Sequence, residues 1–227
     1  MKYKVLIFDA DDTLFDFKAS EREALEKTLI GYDIDYSEDY HLKIYKDING
    51  KIWKELEEGK ITQSELKVER FRRYCGHLNL DLNPVEFAYK YMENLSNSSI
   101  LFEDSIDLIS HLHEKFKLFI ITNGLTKVQS GRIKKSQIAH YFKDIIVSEE
   151  VGVSKPNPEI FKIALEKNNI AEKDSVLMIG DSLTSDIKGG MNFGIDTCLY
   201  NPKKVQVVGE IKPTYEISNL KELLNYL

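Results

Sequence analysis

Short apolar segments alternate with helical segments over most of this chain, and this alternation restricts the fold more than any other feature. Residues 4–8 are β-branched and aromatic, and the segment is short enough for a buried strand. Further strands are expected at residues 116–122, 145–147, 175–179 and 196–200. Helical patterns follow at residues 105–114, 126–136, 158–168 and 184–192. Buried strands that alternate with helices predict an α/β fold, a Rossmann-like parallel sheet core in three layers.

Residues 16–99 have a different character, because helical patterns follow one another without a convincing strand. These patterns cover residues 18–30, 38–58, 63–78 and 85–94. In the second pattern Ile44, Ile48 and Ile52 share one face. We therefore expect an α/β core domain from residues 1–15 and 100–227, with an all-helical cap domain, residues 16–99, inserted after the first strand. This insertion point is beside the carboxyl ends of the strands, where open α/β sheets bind ligands.

Composition and charge disfavour several classes of function. The formal net charge of −6 disfavours a nucleic-acid polymer as a partner. The longest apolar runs are far too short to cross a bilayer, and Asp9 interrupts any hydrophobic signal region. The two cysteines are far apart in sequence and are typical of thiols in a reducing compartment. We expect a cytoplasmic monomer or homodimer that acts on a small molecule, with no membrane partner.

Three carboxylates follow the first predicted strand, in the sequence Asp9-Ala10-Asp11-Asp12-Thr13. Neighbouring carboxylates repel one another, so an ordinary turn rarely contains them unless a cation binds there. An exposed acidic turn explains this segment equally well when the segment is taken alone.

Three later segments also carry polar groups beside predicted strands or helices. Thr122-Asn123-Gly124 offers a hydroxyl, an amide and backbone N–H groups, which are suitable donors to phosphate oxygens. Lys155 precedes the helix expected from Pro158 and lies near its positive end. Gly180-Asp181 ends the fourth strand, and Asp186 follows within reach of the same hard cation. One such segment is readily explained as a turn or a surface lysine, but all four together predict an active site.

The four segments, in this order, resemble the motifs of the haloacid dehalogenase superfamily of aspartate-nucleophile phosphotransferases. Asp9-Ala10-Asp11-Asp12-Thr13 is similar to the first motif, and Thr122-Asn123 to the second. Lys155 is similar to the third motif, and Gly180-Asp181 with Asp186 to the fourth. The helical insertion resembles the first type of cap in that superfamily. Asp11 distinguishes this chain from the dehalogenase branch, which lacks a second aspartate at that position.

The resemblance implies a role for each matched residue. Asp9 is expected to be the nucleophile, Asp11 the general acid and base, and Lys155 the balancing positive charge. The residues expected to hold the phosphate are Thr122, Asn123 and Gly124. The implied cofactor is Mg²⁺, and its expected ligands are Asp9, the backbone carbonyl of Asp11, and Asp181. Asp186 and Thr13 are expected to lie next to these ligands and to orient them without binding the metal themselves.

A finer resemblance is to the pyrimidine 5′-nucleotidase branch, which removes phosphate from nucleoside monophosphates. It is carried by residues 10–17, by Gln129 and Arg132 after Thr122-Asn123-Gly124, and by residues 140–142, 148–149 and 155–161. This resemblance implies a phosphomonoesterase for (deoxy)pyrimidine nucleoside monophosphates. The same core also serves phosphosugar mutases and phosphatases of other small metabolites, so both stay open as alternatives. A catalytically silent binding domain is a further alternative, although such a descendant need not keep Asp9, Asp11, Lys155 and Asp181.

Overall fold

A six-stranded sheet organises the α/β part of the chain in the computed structural model, which describes residues 2–227 apart from the side chain of Glu57. Its strands are β1 (Val5–Phe8), β2 (Lys117–Thr122), β3 (Phe142–Val147), β4 (Val176–Gly180), β5 (Asp196–Tyr200) and β6 (Tyr215–Ile217). They lie in the order β3-β2-β1-β4-β5-β6, and every neighbouring pair is parallel. The predicted α/β fold with a parallel sheet is confirmed.

The strand order reverses at β1. From β1 the chain continues to β2 and β3 on one side of the sheet, while β4, β5 and β6 lie on the other side. In open α/β sheets, ligands bind outside the carboxyl ends of the strands at such a reversal. Asp9 directly follows β1 and Asp181 directly follows β4, so two of the acidic motifs meet at this position.

The described chain divides into two compact units. One unit consists of the residues up to Phe17 together with Ser99–Leu227, and the other consists of Lys18–Ser98. The boundaries expected from the sequence, at residues 15/16 and 99/100, lie within two residues of these divisions.

Four helices build the described part of the inserted unit: α1 (Phe17–Ile30), α2 (Lys43–Glu57), α3 (Gln63–His77) and α4 (Pro84–Asn97). Local sequence explains where two of them begin. Thr62 and Glu65 form a capping box at the start of α3. Asn83 accepts a hydrogen bond from the N–H of Val85 at the start of α4, where Pro84 occupies the first helical position.

An aromatic cluster forms the core of the inserted unit. Its fully buried rings belong to Tyr45, Phe71, Tyr74, Phe87 and Tyr91, and their contacting centroids lie 4.9 to 6.0 Å apart. Such tilted and edge-on ring pairs add to the stabilisation that burial of apolar area provides. These five aromatic residues therefore pack the interior of this unit.

Helices cover both faces of the sheet in the other unit. They are α5 (Glu103–Leu112), α6 (Thr126–Lys134), α7 (Ser148–Val151), α8 (Glu159–Lys167) and α9 (Lys188–Phe193). The side chains of β1 alternate between two cores: Leu6 and Phe8 join the core that includes α5, and Val5 and Ile7 join the core that includes α8. This alternation produces the three layers expected from the sequence.

Two expected helices are divided in the structure. A π-helical turn at Glu38–Leu42 precedes α2, and another at Leu183–Ile187 precedes α9. The second turn contains Asp186, and π-type turns inside helices often occur at functional sites. The sequence pattern does not predict α7 or β6, because segments of four and three residues are too short to show a periodicity. None of the helices within residues 2–227 combines the length and the apolar character that crossing a bilayer requires.

Candidate active site

The carboxyl ends of β1 and its two neighbours bring the predicted motifs to one edge of the sheet. Phe8 of β1 lies beside Ile120 of β2 and Ile179 of β4 in the strand register. Asp9 continues this pairing, because its N–H donates to the carbonyl of Ile179 at 2.8 Å. The Asp9 residue is 7% exposed. A nearly buried carboxylate thus stands at the end of the central strand.

Lys155 lies at the centre of the charged cluster at this edge. Its Nζ is 2.5 Å from Oδ1 of Asp9, 2.7 Å from Oδ1 of Asp186 and 2.7 Å from the carbonyl oxygen of Ile121. An ammonium group has three hydrogens to donate, so each has an acceptor here. A buried ammonium requires such partners because leaving water is costly, and Lys155 is 3% exposed. The lysine side chain is therefore held firmly against Asp9.

Burial and neighbouring charges shift the titration of both groups. Burial raises the pKa of Asp9 well above its usual range, and the carboxylates of Asp186 and Asp181 raise it further against the opposing effect of Lys155. Burial by itself lowers the pKa of Lys155, but the carboxylates of Asp186 and Asp9 outweigh it and raise the lysine pKa above its ordinary value. Lys155 thus keeps its positive charge, while ionised Asp9 requires further positive charge in its surroundings.

A group of three carboxylates at this edge has the chemistry of a divalent metal site. Asp9, Asp181 and Asp186 each have one carboxylate oxygen within 4.8 Å of the others. Lys155 offers one positive charge against these three groups, so negative charge remains for a cation to neutralise. Hard divalent cations prefer oxygen ligands of this type. Asp186, to which the family resemblance assigned a supporting role, belongs to the trio itself.

Because Gly180 has no side chain, the Asp186 carboxylate can occupy the space beside it. A Cβ atom on Gly180 would lie 2.3 Å from Oδ2 of Asp186. The same Oδ2 accepts a hydrogen bond from the N–H of Ser182 at 3.0 Å, which orients the carboxylate toward Lys155. Beside it, the Thr13 hydroxyl donates to Oδ1 of Asp181 at 3.4 Å. Thr13 therefore contacts one of the predicted metal ligands, and its supporting role stays a prediction.

The side chain of Asn123 makes two hydrogen bonds to the segment that carries Lys155, and the expected role of Asn123 in phosphate binding stays a prediction. Its side-chain oxygen accepts from the N–H of Lys155 at 2.9 Å, and its side-chain nitrogen donates to the carbonyl of Lys155 at 2.8 Å. The amide is thus engaged with the backbone of the lysine segment. Its effect in this structure is to tie Lys155 to the end of β2, a contact between residues 32 positions apart that local sequence cannot predict.

The two other predicted phosphate-binding residues differ in whether they have a hydrogen left to donate to phosphate. Thr122 is fully buried, and its hydroxyl oxygen accepts from Nε2 of Gln129 at 2.7 Å, which leaves the hydroxyl hydrogen to be donated elsewhere. The N–H of Gly124 instead donates to Oγ of Ser148 at 3.1 Å. The Gly124 N–H is therefore already bonded to a hydroxyl at the start of α7, and its expected role in phosphate binding stays a prediction.

Asp11 has partners that sequence reasoning did not assign to the site. Nη1 of Arg132 donates to its Oδ1 at 2.5 Å, and Nε2 of Gln129 donates to its Oδ2 at 2.8 Å. Both donors lie on α6 and are buried. Gln129 and Arg132 carry part of the finer family resemblance. Two polar residues three positions apart on the inward face of a helix are the signal that could have placed them in the site.

The sequence matches a known family over most of its length. A family model described as haloacid dehalogenase-like hydrolase matches residues 6–200. The HAD-hydrolase YfnB of Bacillus subtilis is 39% identical over 226 residues, which cover 100% of this chain and 96% of YfnB. The pyrimidine 5′-nucleotidase PynA of Streptococcus pneumoniae is 36% identical, covering 100% of this chain and 96% of its own. The pyrimidine 5′-nucleotidase YjjG of Escherichia coli is 33% identical, covering 98% and 97%.

Solved structures show the same similarity. The crystal structure of YfnB bound to magnesium, which reveals interdomain movement in that protein, superposes with a TM-score of 0.93. It covers 100% of this chain and 99% of the YfnB chain at 39% identity. The L-2-haloacid dehalogenase of Xanthobacter autotrophicus superposes with a TM-score of 0.76 at 19% identity, covering 98% and 97% of the two chains. At that identity the likeness concerns the fold alone.

Proposed function

The chain belongs to the haloacid dehalogenase-like hydrolases, and from this premise we propose that it is a magnesium-dependent phosphomonoesterase that works through an aspartyl-phosphate on Asp9. The observation that carries the proposal is the buried pairing of Asp9 with Lys155 at 2.5 Å, beside the carboxylates of Asp181 and Asp186. This cluster combines a nucleophile, a fixed positive charge and a cation site at the edge of the sheet where ligands bind.

Asp9 begins the reaction in this proposal. One of its carboxylate oxygens forms a bond to phosphorus while the bond from phosphorus to the ester oxygen breaks. The aspartyl-phosphate divides one difficult displacement into two easier ones. In the second step the oxygen of a water molecule bonds to phosphorus, and inorganic phosphate leaves as the Asp9 carboxylate is restored.

Charge repulsion between carboxylate and phosphate opposes the first step, and three features of the site counteract it. Lys155 is held against Asp9 and remains charged, so it balances the phosphoryl oxygens as they approach. The Thr122 hydroxyl hydrogen can be donated to one of those oxygens. A divalent cation held by Asp9, Asp181 and the carbonyl of Asp11, with Asp186 adjacent, would supply further neutralisation when bound.

Proton transfer is the proposed work of Asp11. The departing alkoxide of a nucleoside is a poor leaving group unless it takes a proton as the bond breaks. Asp11 supplies that proton and later accepts one from the attacking water, so that it ends each cycle as it began. Its side chain is 24% exposed while its oxygens are held by α6. The carboxyl group is therefore accessible to a substrate and restrained at the same time.

Pyrimidine nucleoside 5′-monophosphates are the substrates we propose. The two relatives named pyrimidine 5′-nucleotidases are 36% and 33% identical to this chain over nearly its full length. The resemblance within residues 10–17 and 122–148 supports the same branch.

A phosphate-release assay over a panel of phosphorylated metabolites tests this function. We expect kcat/KM for thymidine or deoxyuridine 5′-monophosphate to exceed that for common sugar phosphates by about tenfold or more, the difference that stacking of one base can provide. A value no higher than that for sugar phosphates would refute the nucleotidase assignment while leaving the phosphatase intact. Isomerisation of a sugar phosphate without release of phosphate would identify a mutase instead. No turnover of any phosphoester would indicate a silent binding domain.

A further inference from the structure

Gln129 and Arg132 form a pair on α6 to which the steps above assign no chemical role of their own. They are 2% and 0% exposed, and Nη1 of Arg132 donates to Oε1 of Gln129 at 3.0 Å. Each also donates to one oxygen of Asp11, at 2.5 Å from Arg132 and 2.8 Å from Gln129. The carboxylate of Asp11 is therefore held at both oxygens by a single short helix.

The burial of Arg132 shows that its pairing with Asp11 is not an incidental surface contact. A guanidinium that cannot be deprotonated is very costly to bury unless an anion balances it. The Arg132 side chain is 0% exposed and its ion-pair partner is Asp11, whose own side chain is 24% exposed. The cation is thus fully buried, while the carboxylate that pairs with it is partly exposed to solvent.

Arg132 is itself placed by the segment that carries Asp11. The centre of its guanidinium lies 5.7 Å from the ring centroid of Phe15 and 5.0 Å from that of Phe17, within the range of cation–π attraction. The hydroxyl of Ser99 also donates to the backbone carbonyl of Arg132 at 2.7 Å. The guanidinium therefore has a defined position against which Asp11 is fixed.

Gln129 connects Asp11 with the predicted phosphate-binding hydroxyl. Its Nε2 has two hydrogens, and it donates to Oδ2 of Asp11 at 2.8 Å and to Oγ1 of Thr122 at 2.7 Å. Gly124 leaves room for this side chain, because a Cβ there would lie 2.9 Å from Cγ of Gln129. One amide nitrogen thus sets the distance between the proton donor and a phosphate-binding group.

We propose that Gln129 and Arg132 are positioning residues for proton transfer, which hold the carboxyl group of Asp11 in one orientation beside Thr122, both when it is the protonated acid of the first step and when it is the carboxylate base of the second. The inference rests on the proposed role of Asp11 as general acid and base. A lone aspartate side chain rotates about two bonds, whereas this one is restrained at both oxygens. Since misplacement of a catalytic group by about 1 Å can cost about 10²-fold in rate, loss of the restraint should slow those reactions that depend on the proton.

Kinetics with two leaving groups test the proposal. For Arg132→Met and Gln129→Met, we expect kcat with thymidine 5′-monophosphate to fall about 10- to 100-fold, with KM changed less than about threefold. With p-nitrophenyl phosphate, whose phenolate leaves without needing a proton, kcat should fall by less than about threefold. An equal loss for both substrates would indicate a merely structural role and would overturn the proposal.

Two further variants serve as a rescue and a control. Arg132→Lys keeps a positive charge and a donor, so it should retain more thymidine monophosphate turnover than Arg132→Met. Gln137→Met makes the same change as Gln129→Met at an exposed position and should leave both activities unchanged. Thermal melting of each variant shows whether it is folded, and Gln129→Met provides the test if Arg132→Met does not fold.

A double-variant cycle separates this inference from the proposed function. In the Asp11→Asn background, adding Arg132→Met should lower kcat by less than about twofold, because no acid is left to position. A full additional loss there would overturn the positioning role. If Asp11→Asn itself slows both substrates equally, the proposed acid role of Asp11 fails instead. If Asp11→Asn shows the leaving-group difference and the α6 variants do not, only the positioning inference fails.

Discussion

Asp9 is the residue on which the proposed chemistry depends. In Asp9→Asn we expect kcat to fall more than about a thousandfold, because an amide of nearly the same shape cannot attack phosphorus. Lys155 keeps two acceptors, Asp186 and the carbonyl of Ile121, so the variant should fold. Phosphate release measures the activity, and thermal melting checks the fold.

A matched control for this variant is Asp107→Asn, the same substitution at an exposed position of α5. It should leave kcat unchanged. Substantial turnover by Asp9→Asn, in a preparation free of wild-type enzyme, would contradict the assignment of Asp9 as the nucleophile.

At the scale of single elements, the end of β4 depends on the absence of a side chain at Gly180. A Cβ atom there would lie 2.3 Å from Oδ2 and 2.4 Å from Cγ of Asp186. In Gly180→Ala we therefore expect Asp186 to be displaced from Lys155 and from the N–H of Ser182. The free energy of unfolding should decrease by about 1–3 kcal/mol, the usual cost of overpacking a core, as measured by urea denaturation.

Gly50→Ala provides the matched control on α2. No heavy atom lies within 4 Å of a Cβ built on Gly50, and alanine is a better helix former than glycine. This variant should gain about 0.5–1 kcal/mol in the free energy of unfolding. Equal stability of Gly180→Ala and the unmodified protein would show that Asp186 can move without cost. It would contradict the conclusion that the end of β4 depends on the absence of a side chain at Gly180.

For the whole molecule, the buried acidic cluster predicts that stabilisation by Mg²⁺ depends on pH. Burial raises the pKa of Asp9 in the metal-free fold, so between its ordinary and its raised pKa the folded chain holds a proton that the unfolded chain has lost. The contribution of Asp9 to stability is therefore present at low pH and is lost as pH rises toward the raised pKa. Mg²⁺ competes with that proton, so its stabilising effect should increase with pH.

Thermal melting with Mg²⁺ or with a chelator, at about pH 5 and about pH 8, measures this effect. Mg²⁺ at about 100 times its dissociation constant should stabilise the fold by about 2.7 kcal/mol at the higher pH, and by less at the lower pH. Asp9→Asn should lose the part of the shift that depends on pH. Identical melting temperatures with metal and with chelator at both pH values would contradict the metal site.

Features that depend on neighbouring residues could be predicted from the sequence. The strand at Asp196–Tyr200 has the bounds expected from its apolar run, and the predicted helix at residues 63–78 agrees with α3 to within one residue. Membership of the haloacid dehalogenase-like family, predicted from four short motifs, is confirmed. These predictions succeed because hydrophobic periodicity and each short motif are formed by residues that are neighbours in the chain.

The family resemblance implied that Lys155 is the balancing positive charge, but sequence order could not reveal the contacts that the site residues make. Lys155 meets Asp9 across 146 positions and Arg132 meets Asp11 across 121 positions. Such contacts exist only once the sheet has set β1 between β2 and β4 and the fold has brought α6 beside Asp11. The same packing commits the amide of Asn123 to the backbone of Lys155 and the N–H of Gly124 to Ser148.

The sequence by itself therefore determined the class of fold, the family and the residues available for chemistry, because short-range patterns encode them. The tertiary structure alone decided which charges are buried together and how each is oriented. The physical reason is that a buried charge must find its partner wherever packing leaves one within hydrogen-bonding distance. That partner is Lys155 for Asp9 and, for Arg132, the carboxylate of Asp11.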